Sequence, residues 1–197
     1  MSGREPKTGA QPGPVESGAA GESRKSASQK PLPQDPIAEA RRHWEEHGWG
    51  DAADGMAAVT AVMRTHQILL TRAENVLRPF GLTFARFELL ALLSFTANGS
   101  LPMAKAGARL QVHPTSVTNA VDRLEQAGLA RRRRHPSDGR TVLVEITPAG
   151  RRLVPLAAAA LNSEVFVHPG FAADDLAPLT DILTRFRRDA GDFEGLC

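Results

Sequence analysis

Two helical segments separated by only three residues restrict the fold of this chain more than any other feature. The first is predicted at Ala104–Leu110 and the second at Pro114–Ala127, where a proline suits the first position of a helix. A short helix, a tight connection and a second helix are the layout of a helix-turn-helix unit. The sequence therefore predicts such a unit near the centre of the chain.

The second of these helices has two chemically different faces. At 3.6 residues per turn, Val117, Val121 and Leu124 share one apolar face. The opposite face and its flanks carry small hydrogen-bonding side chains beside an arginine, namely Thr115, Ser116, Thr118, Asn119 and Arg123. Such side chains suit base edges and phosphates, although serine and threonine near a helix start also serve as caps. We expect a DNA-reading face here, with helix capping as the alternative.

A basic hairpin is predicted directly after this helix. Val142–Ile146 alternates in the manner of a strand, and Asp138-Gly139 is a dipeptide typical of hairpin turns. The four consecutive arginines Arg131–Arg134 then lie on the partner strand. Because successive side chains of a strand point to opposite faces, at most half of these arginines can meet one ligand surface.

Positive charge is concentrated around this hairpin. The net charge of the chain is only +2, but ten Lys or Arg residues stand against four Asp or Glu residues between Leu101 and Arg152. This asymmetry favours a phosphate-facing surface on one part of the molecule. On the hairpin we expect Arg132 and Arg134 to face phosphates. The other two arginines are expected to pair with Asp138 or to remain in water.

Apolar spacing predicts further helices on both sides of this central unit. They are expected at Asp35–Gly50, Asp54–Phe80, Thr83–Gly99, Thr147–Leu161 and Leu176–Phe186. Pro155 lies inside the fourth of them and should bend or divide it, because proline removes a backbone donor. The predicted fold class is therefore mainly α with a small β-hairpin wing.

Residues 1–34 are rich in Gly, Pro and Ser and are expected to form a disordered tail.

Several other classes of protein are excluded by what the sequence lacks. No apolar stretch reads as a signal peptide or membrane span, so a cytoplasmic protein without membrane contact is expected. Cys197 is the only cysteine, which excludes an internal disulfide.

The chemistry of a metal site or an enzyme is also not expected. His43 and His47 share a helix face, but Trp44 stands where the zinc-protease pattern requires glutamate, and a third ligand is missing. The sequence contains neither a glycine-rich phosphate loop nor a nucleophile elbow. We therefore expect no catalytic residues, no metal and no cofactor.

The order of these elements resembles the winged helix-turn-helix regulators of the MarR family. The resemblance covers roughly Asp54–Arg188 and is most specific over Val112–Arg151. There the family motifs "DRLE…GL", "D-x-R" and "LT…G" match, in that order, Asp122–Glu125 with Gly128-Leu129, Asp138 with Arg140, and Ile146-Thr147 with Gly150.

The resemblance implies an intertwined homodimer that binds double-stranded DNA at a pseudo-palindromic operator. Two recognition helices would lie about 34 Å apart in successive major grooves, and the wings would reach the adjacent minor grooves. By this resemblance Arg140 is the minor-groove residue, and Asp138 holds the wing by pairing with a nearby arginine. A turn-forming role is the alternative for Asp138.

The same resemblance assigns a role to each part of the chain. An extra N-terminal helix spans 35–50, and a dimerisation helix with a core helix spans 51–100. The DNA-binding lobe spans 101–147, and C-terminal dimerisation helices span 148–197.

A small, often phenolic or carboxylate, effector that releases DNA is a further implication of the resemblance. Trp44, His66 and Glu88 are the candidate ligand contacts, with core packing or surface contact as the alternative. The urate-responsive subgroup carries an arginine in the recognition helix, but this chain reads "TNAV" there, so urate is not expected. The predicted function is a sequence-specific transcriptional regulator, most simply a repressor. A non-specific architectural or protein-interaction winged helix is the alternative.

Overall fold

The computed structural model describes residues 31–110 and 114–195. Seven α-helices and three short strands are assigned within these ranges: α1 (Pro36–Glu46), α2 (Gly50–Leu77), α3 (Phe84–Ser94), β1 (Ser100–Pro102), α4 (Met103–Leu110), α5 (Pro114–Gln126), β2 (Ala130–Arg134), β3 (Val142–Ile146), α6 (Pro148–Leu161) and α7 (Ala173–Asp189). The mainly helical fold with a small β wing is thereby confirmed. The predicted tail falls almost entirely outside the described residues, as do Cys197 and the connection between α4 and α5.

The N-terminal part is a pair of helices that pack against each other. Asp35 caps α1 by accepting a 3.0 Å hydrogen bond from the backbone N–H of Ile37, and Pro36 occupies the first helical position. Gly48 adopts a left-handed φ of 79° between the two helices, which glycine does without steric cost. A 2.8 Å ion pair between Arg41 and Asp54 then ties α1 to α2.

The hydrophobic core surrounds α3. Leu89, Leu90 and Leu93 of this helix are completely buried, together with Leu77 of α2 and Leu161 of α6. Burial of one such side chain contributes roughly 1.5–3 kcal/mol. The same core includes the apolar face of α5 and Val144 of the sheet. The helix α5 and the sheet are therefore packed against one shared core.

The wing is a three-stranded antiparallel sheet in the order β1-β3-β2. In the register, Val144 of β3 lies between Leu101 of β1 and Arg132 of β2. Only the β2–β3 hairpin was predicted from the sequence. The strand β1 has three residues and ends in Pro102, which is too short a run to show a periodic pattern.

The sequence predicts that Pro155 bends or divides its helix. Division is wrong, because α6 runs unbroken from Pro148 to Leu161. The regular helix is instead interrupted further on, where residues Asn162–Phe166 form a π-helical turn. No helix in the described ranges is both long enough and apolar enough to cross a membrane.

Candidate nucleic-acid interface

The helix α5 presents its predicted polar face to solvent. Val117, Val121 and Leu124 are at most 2% exposed, so the apolar face points into the core as expected. The opposite side and its flanks carry five exposed side chains that were predicted as DNA contacts: Thr115, Ser116, Thr118, Asn119 and Arg123. This placement is what a helix needs in order to reach base edges with side chains while its back face holds it to the domain.

Arg132 does not face solvent freely, in contrast to the prediction. Its guanidinium lies 2.6 Å from the carboxylate of Asp122 and also pairs with Glu125. The backbone N–H of Arg132 donates a further hydrogen bond of 2.6 Å to Glu125. Because two carboxylates of α5 share this one cation, Arg132 joins the wing to α5 rather than presenting an uncompensated charge.

On the other face of β2, two arginines contact the carboxylate of Glu145 of β3. Arg131 binds this carboxylate at 2.9 Å, and Arg133 lies 3.8 Å from it. The hydrogen bond from Arg131 holds the pKa of Glu145 below its usual range. The expected pairing of these arginines with Asp138 is therefore wrong, because Glu145 lies directly across the strand pair from Arg131 and diagonally from Arg133.

Asp138 shapes the turn at the tip of the wing. Its carboxylate accepts hydrogen bonds from the hydroxyl of Thr141 at 2.6 Å and from the backbone N–H of Arg140 at 3.0 Å. The hydroxyl of Thr141, followed by the Arg140 N–H, lowers the pKa of Asp138. Of the two roles considered for this residue, the structure therefore shows the turn-forming one, and Asp138 forms no ion pair with an arginine in the described ranges.

Arg134 and Arg140 are the wing arginines whose side chains could still bind an anion. Both are exposed, and neither forms an ion pair with another residue in the part of the chain that the structure describes. Arg140 follows Gly139 at the tip, between the ends of β2 and β3. The hairpin therefore presents positive charge at its outer end, while Arg131, Arg132 and Arg133 are engaged with carboxylates nearer its base.

The "LT…G" motif at the end of the hairpin has a structural role. Thr147 caps α6 by accepting from the backbone N–H of Gly150 at 3.1 Å, and its hydroxyl donates to the carbonyl of Gly128 at 2.7 Å. A Cβ atom at Gly150 would lie 2.3 Å from the carbonyl oxygen of Leu129. Glycine is therefore required where α6 passes the base of the wing.

Two acidic residues of this region were not singled out as functional from the sequence. Glu125 and Glu145 position arginines, as described above. For Glu125 a signal was present, because Asp122 and Glu125 are three residues apart and so share a side of α5. Glu145 could have been found from the hairpin register, which sets it opposite Arg131.

The three predicted effector contacts do not come together in one place. His66 lines a cavity of about 290 Å³ between α2 and the segment that follows α6, with largely apolar walls that include Leu70, Phe84 and Phe166. Trp44 instead packs edge-on against Trp49, with ring centroids 5.3 Å apart. Glu88 is half-buried on α3, and its burial raises its pKa. Neither Trp44 nor Glu88 lines this cavity. No cluster of potential metal ligands occurs among the described residues.

Known proteins are similar to this chain in both sequence and fold. Residues 80–141 match the model of the MarR family. The structure of Sco5413, a MarR family transcriptional regulator from Streptomyces coelicolor, is 45% identical, covers 72% of this chain and 99% of its own, and superposes with a TM-score of 0.66. A mutant of MarR from E. coli complexed with operator DNA is 21% identical over 68% of this chain and 96% of its own, with a TM-score of 0.62.

A curated relative gives a shorter match. YhbI of Bacillus subtilis, an uncharacterised HTH-type transcriptional regulator, is 34% identical over 85 residues, which are 43% of this chain. The chain spans 54% of the length of that relative. Sco5413, in contrast, is matched over nearly its whole length at a higher identity. The chain therefore belongs to the MarR family.

Proposed function

We propose that this protein is a sequence-specific DNA-binding transcriptional regulator that acts as a homodimer on a pseudo-palindromic operator. The observation that carries this proposal is the outward row of small hydrogen-bonding side chains on α5, set beside a wing whose outer end carries Arg134 and Arg140, which form no ion pair with a described residue. Family membership supports it, since Sco5413 is described as a transcriptional regulator and E. coli MarR of the same fold is complexed with operator DNA.

The side chains of α5 have the chemistry for reading the major groove. An asparagine such as Asn119 can bind adenine through two hydrogen bonds, and threonine methyl groups can contact the methyl group of thymine. Arg123 at the flank can reach a phosphate or a guanine. These contacts would discriminate between bases, because each base pair presents a distinct pattern of donors and acceptors in the major groove.

The wing supplies contacts on the minor-groove side. Arg140 extends from the tip, where an arginine can enter a narrow minor groove with its strong negative potential. Arg134, the last residue of β2, could bind a phosphate of the DNA backbone. Asp138 supports Arg140 indirectly by fixing the turn. We assign Arg132 a positioning role in this interface, because its charge is already shared by two carboxylates.

An apolar groove supports the dimer. It lies between α2 and α7, has a volume of about 400 Å³ and is lined by Ala58, Val59, Val62, Met63, Ile182, Leu183 and Phe186. Phe186 is 71% exposed and Met63 is 64% exposed in the single chain. Exposed apolar surface of this kind marks an interface, and a two-fold homodimer would cover both copies of it at once.

The cavity beside His66 supports regulation by a small molecule. It lies between α2 and the segment that follows α6, and Phe84 at the start of α3 forms part of its wall. The helix α2 also lines the groove proposed as the dimer interface, and α3 packs in the same core as α5. We propose that it takes a largely apolar effector with one polar group directed at His66. Such a ligand would release DNA if it preferred a spacing of the recognition helices that does not fit the operator, with a coupling of about 1–3 kcal/mol.

A binding experiment tests the DNA-binding part of the proposal. The full chain would be used to select duplexes from a random-sequence library, and a selected duplex would be compared with a scrambled one at physiological salt. We expect the selected duplex to bind about 10³-fold more tightly or better. Equal affinities would instead identify a non-specific architectural winged helix. Light scattering of the free protein would report the dimer.

A further inference from the structure

A further cleft borders α5 on the side of the helix that faces away from the wing. It lies between the first turn of α3 and α5, has a volume of about 320 Å³, and is lined by Thr83, Ala85, Arg86, Ser116, Asn119, Ala120 and Arg123. Three of these side chains, Ser116, Asn119 and Arg123, also belong to the predicted DNA-reading face. The cleft is therefore continuous with the proposed interface.

The cleft holds two cations and no carboxylate among the residues that line it. Neither Arg86 nor Arg123 forms an ion pair within the described ranges, whereas Arg131, Arg132 and Arg133 of the wing all do. The positive charge of the cleft is therefore not compensated by the described part of the protein.

The guanidinium of Arg86 is held in a defined position. Its Nε donates to the hydroxyl of Thr83 at 3.0 Å, and its Nη1 donates to the carbonyl of Gly81 at 3.3 Å. Both acceptors belong to the residues just before α3, so one side of the guanidinium is anchored. Arginine has five N–H donors, and those of Nη2 are not used in any of these hydrogen bonds. Such a preorganised arginine loses less conformational entropy when it binds an anion.

The position of the cleft on α5 indicates which anion it meets. At about 100° per residue, Asp122 and Glu125 lie to one side of the buried Val117, and there they bind Arg132 of the wing. Ser116 and Arg123 lie about 100–120° to the other side. A helix in the major groove has a phosphate backbone along each of its two sides. The wing lies on one side of α5, and the cleft lies on the other side.

We propose that this cleft binds a backbone phosphate of the DNA, with Arg86 and Arg123 as its two cationic contacts. The inference rests on the proposed DNA-binding function and adds Arg86, which lies outside the helix-turn-helix and the wing. Two guanidinium groups can hold a phosphate through several charge-assisted hydrogen bonds. This contact would fix the register of α5 in the groove without reading sequence itself.

The salt dependence of binding tests the inference. Affinities of the full-length protein for the selected and the scrambled duplex would be measured over a series of salt concentrations. For Arg86→Ala we expect about tenfold weaker binding to both duplexes, and a salt slope smaller by about one for each protomer, because one phosphate contact is lost. The matched control is Arg188→Ala, which removes the same charge from α7, outside the DNA-binding lobe, and should leave the slope unchanged.

A conservative variant separates phosphate binding from a structural role. Arg86→Lys keeps the charge but not the paired hydrogen bonds to Thr83 and Gly81, so we expect it to retain most of the salt slope. If Arg86→Lys behaved like Arg86→Ala, or if the slope of a folded, dimeric Arg86→Ala equalled that of the wild type, the inference would be overturned. The wild-type preference for the selected duplex would still test the proposed function separately.

Discussion

The guanidinium of Arg132 on β2 lies 2.6 Å from the carboxylate of Asp122 on α5. With the adjacent contact to Glu125, this pair joins the wing to α5 through side chains that are less than half exposed. The wing and α5 are therefore held at one relative angle. In the proposed complex, an operator that fits α5 would meet Arg140 at the wing tip without a change in this angle.

Removing Arg132 should destabilise the protein. Arg132→Ala leaves two neighbouring carboxylates without their shared cation, and we expect a loss of about 1–3 kcal/mol in the free energy of unfolding. Urea denaturation monitored by circular dichroism measures it. The control is Arg134→Ala on the same strand, which should change stability by no more than about 0.5 kcal/mol. Equal effects of the two substitutions would show that the bridge contributes nothing.

Removing Arg140 should affect DNA binding alone. Because its side chain is exposed and forms no ion pair with a described residue, Arg140→Ala should leave stability and dimerisation unchanged. We expect affinity for the selected duplex to fall about tenfold or more, the usual cost of losing one arginine contact. A fluorescence anisotropy titration measures this. Arg131→Ala, whose charge is already bound by Glu145, is the comparison, and a wild-type affinity for Arg140→Ala would remove the wing tip from the interface.

Local sequence signals predicted the elements of this fold better than they predicted the partners of individual side chains. Val117, Val121 and Leu124 showed the apolar face of α5, because helical periodicity depends only on near neighbours in sequence. The partner of Arg132 depends on how β2 packs against α5, which a pattern within one element does not contain. The sequence pattern therefore predicts an Arg132 that faces phosphates, whereas in the folded protein Asp122 and Glu125 bind it.

Glycine at position 150 should be required for stability. A Cβ atom there would lie 2.3 Å from a backbone oxygen of Leu129, and this oxygen cannot move without shifting the wing. We therefore expect Gly150→Ala to lower the free energy of unfolding by about 1–3 kcal/mol or more. The control is Gly55→Ala in α2, where a Cβ would meet nothing within 4 Å and alanine should stabilise the helix by up to about 1 kcal/mol. Thermal unfolding would show midpoints that shift in opposite directions.

Acidic pH should lower the free energy of unfolding, because Glu145 of the wing becomes protonated. Its pKa is lowered in the folded protein, first by the hydrogen bond from Arg131, so its contribution to stability is present above the unfolded value of about 4.3. That contribution is lost as the pH falls through the lower folded pKa. Free energies of unfolding measured between neutral and acidic pH should therefore fall less steeply for Glu145→Gln than for the wild type. Parallel curves would exclude this ion pair as a source of acid sensitivity.

A charge placed in the apolar groove should separate the proposed dimer and abolish its tight DNA binding. Phe186 of α7 is 71% exposed in the single chain and lies in the groove beside Val62 of α2. A carboxylate buried there in a dimer would have no partner, which is costly, so Phe186→Glu should be monomeric in analytical ultracentrifugation. A monomer reads one half-site and should bind the selected duplex far more weakly than the dimer does. Phe95→Glu provides the matched control, because Phe95 is 84% exposed but lies outside the groove, and this variant should remain a dimer. Should Phe186→Glu also remain a dimer, the two-fold interface must lie elsewhere on the molecule.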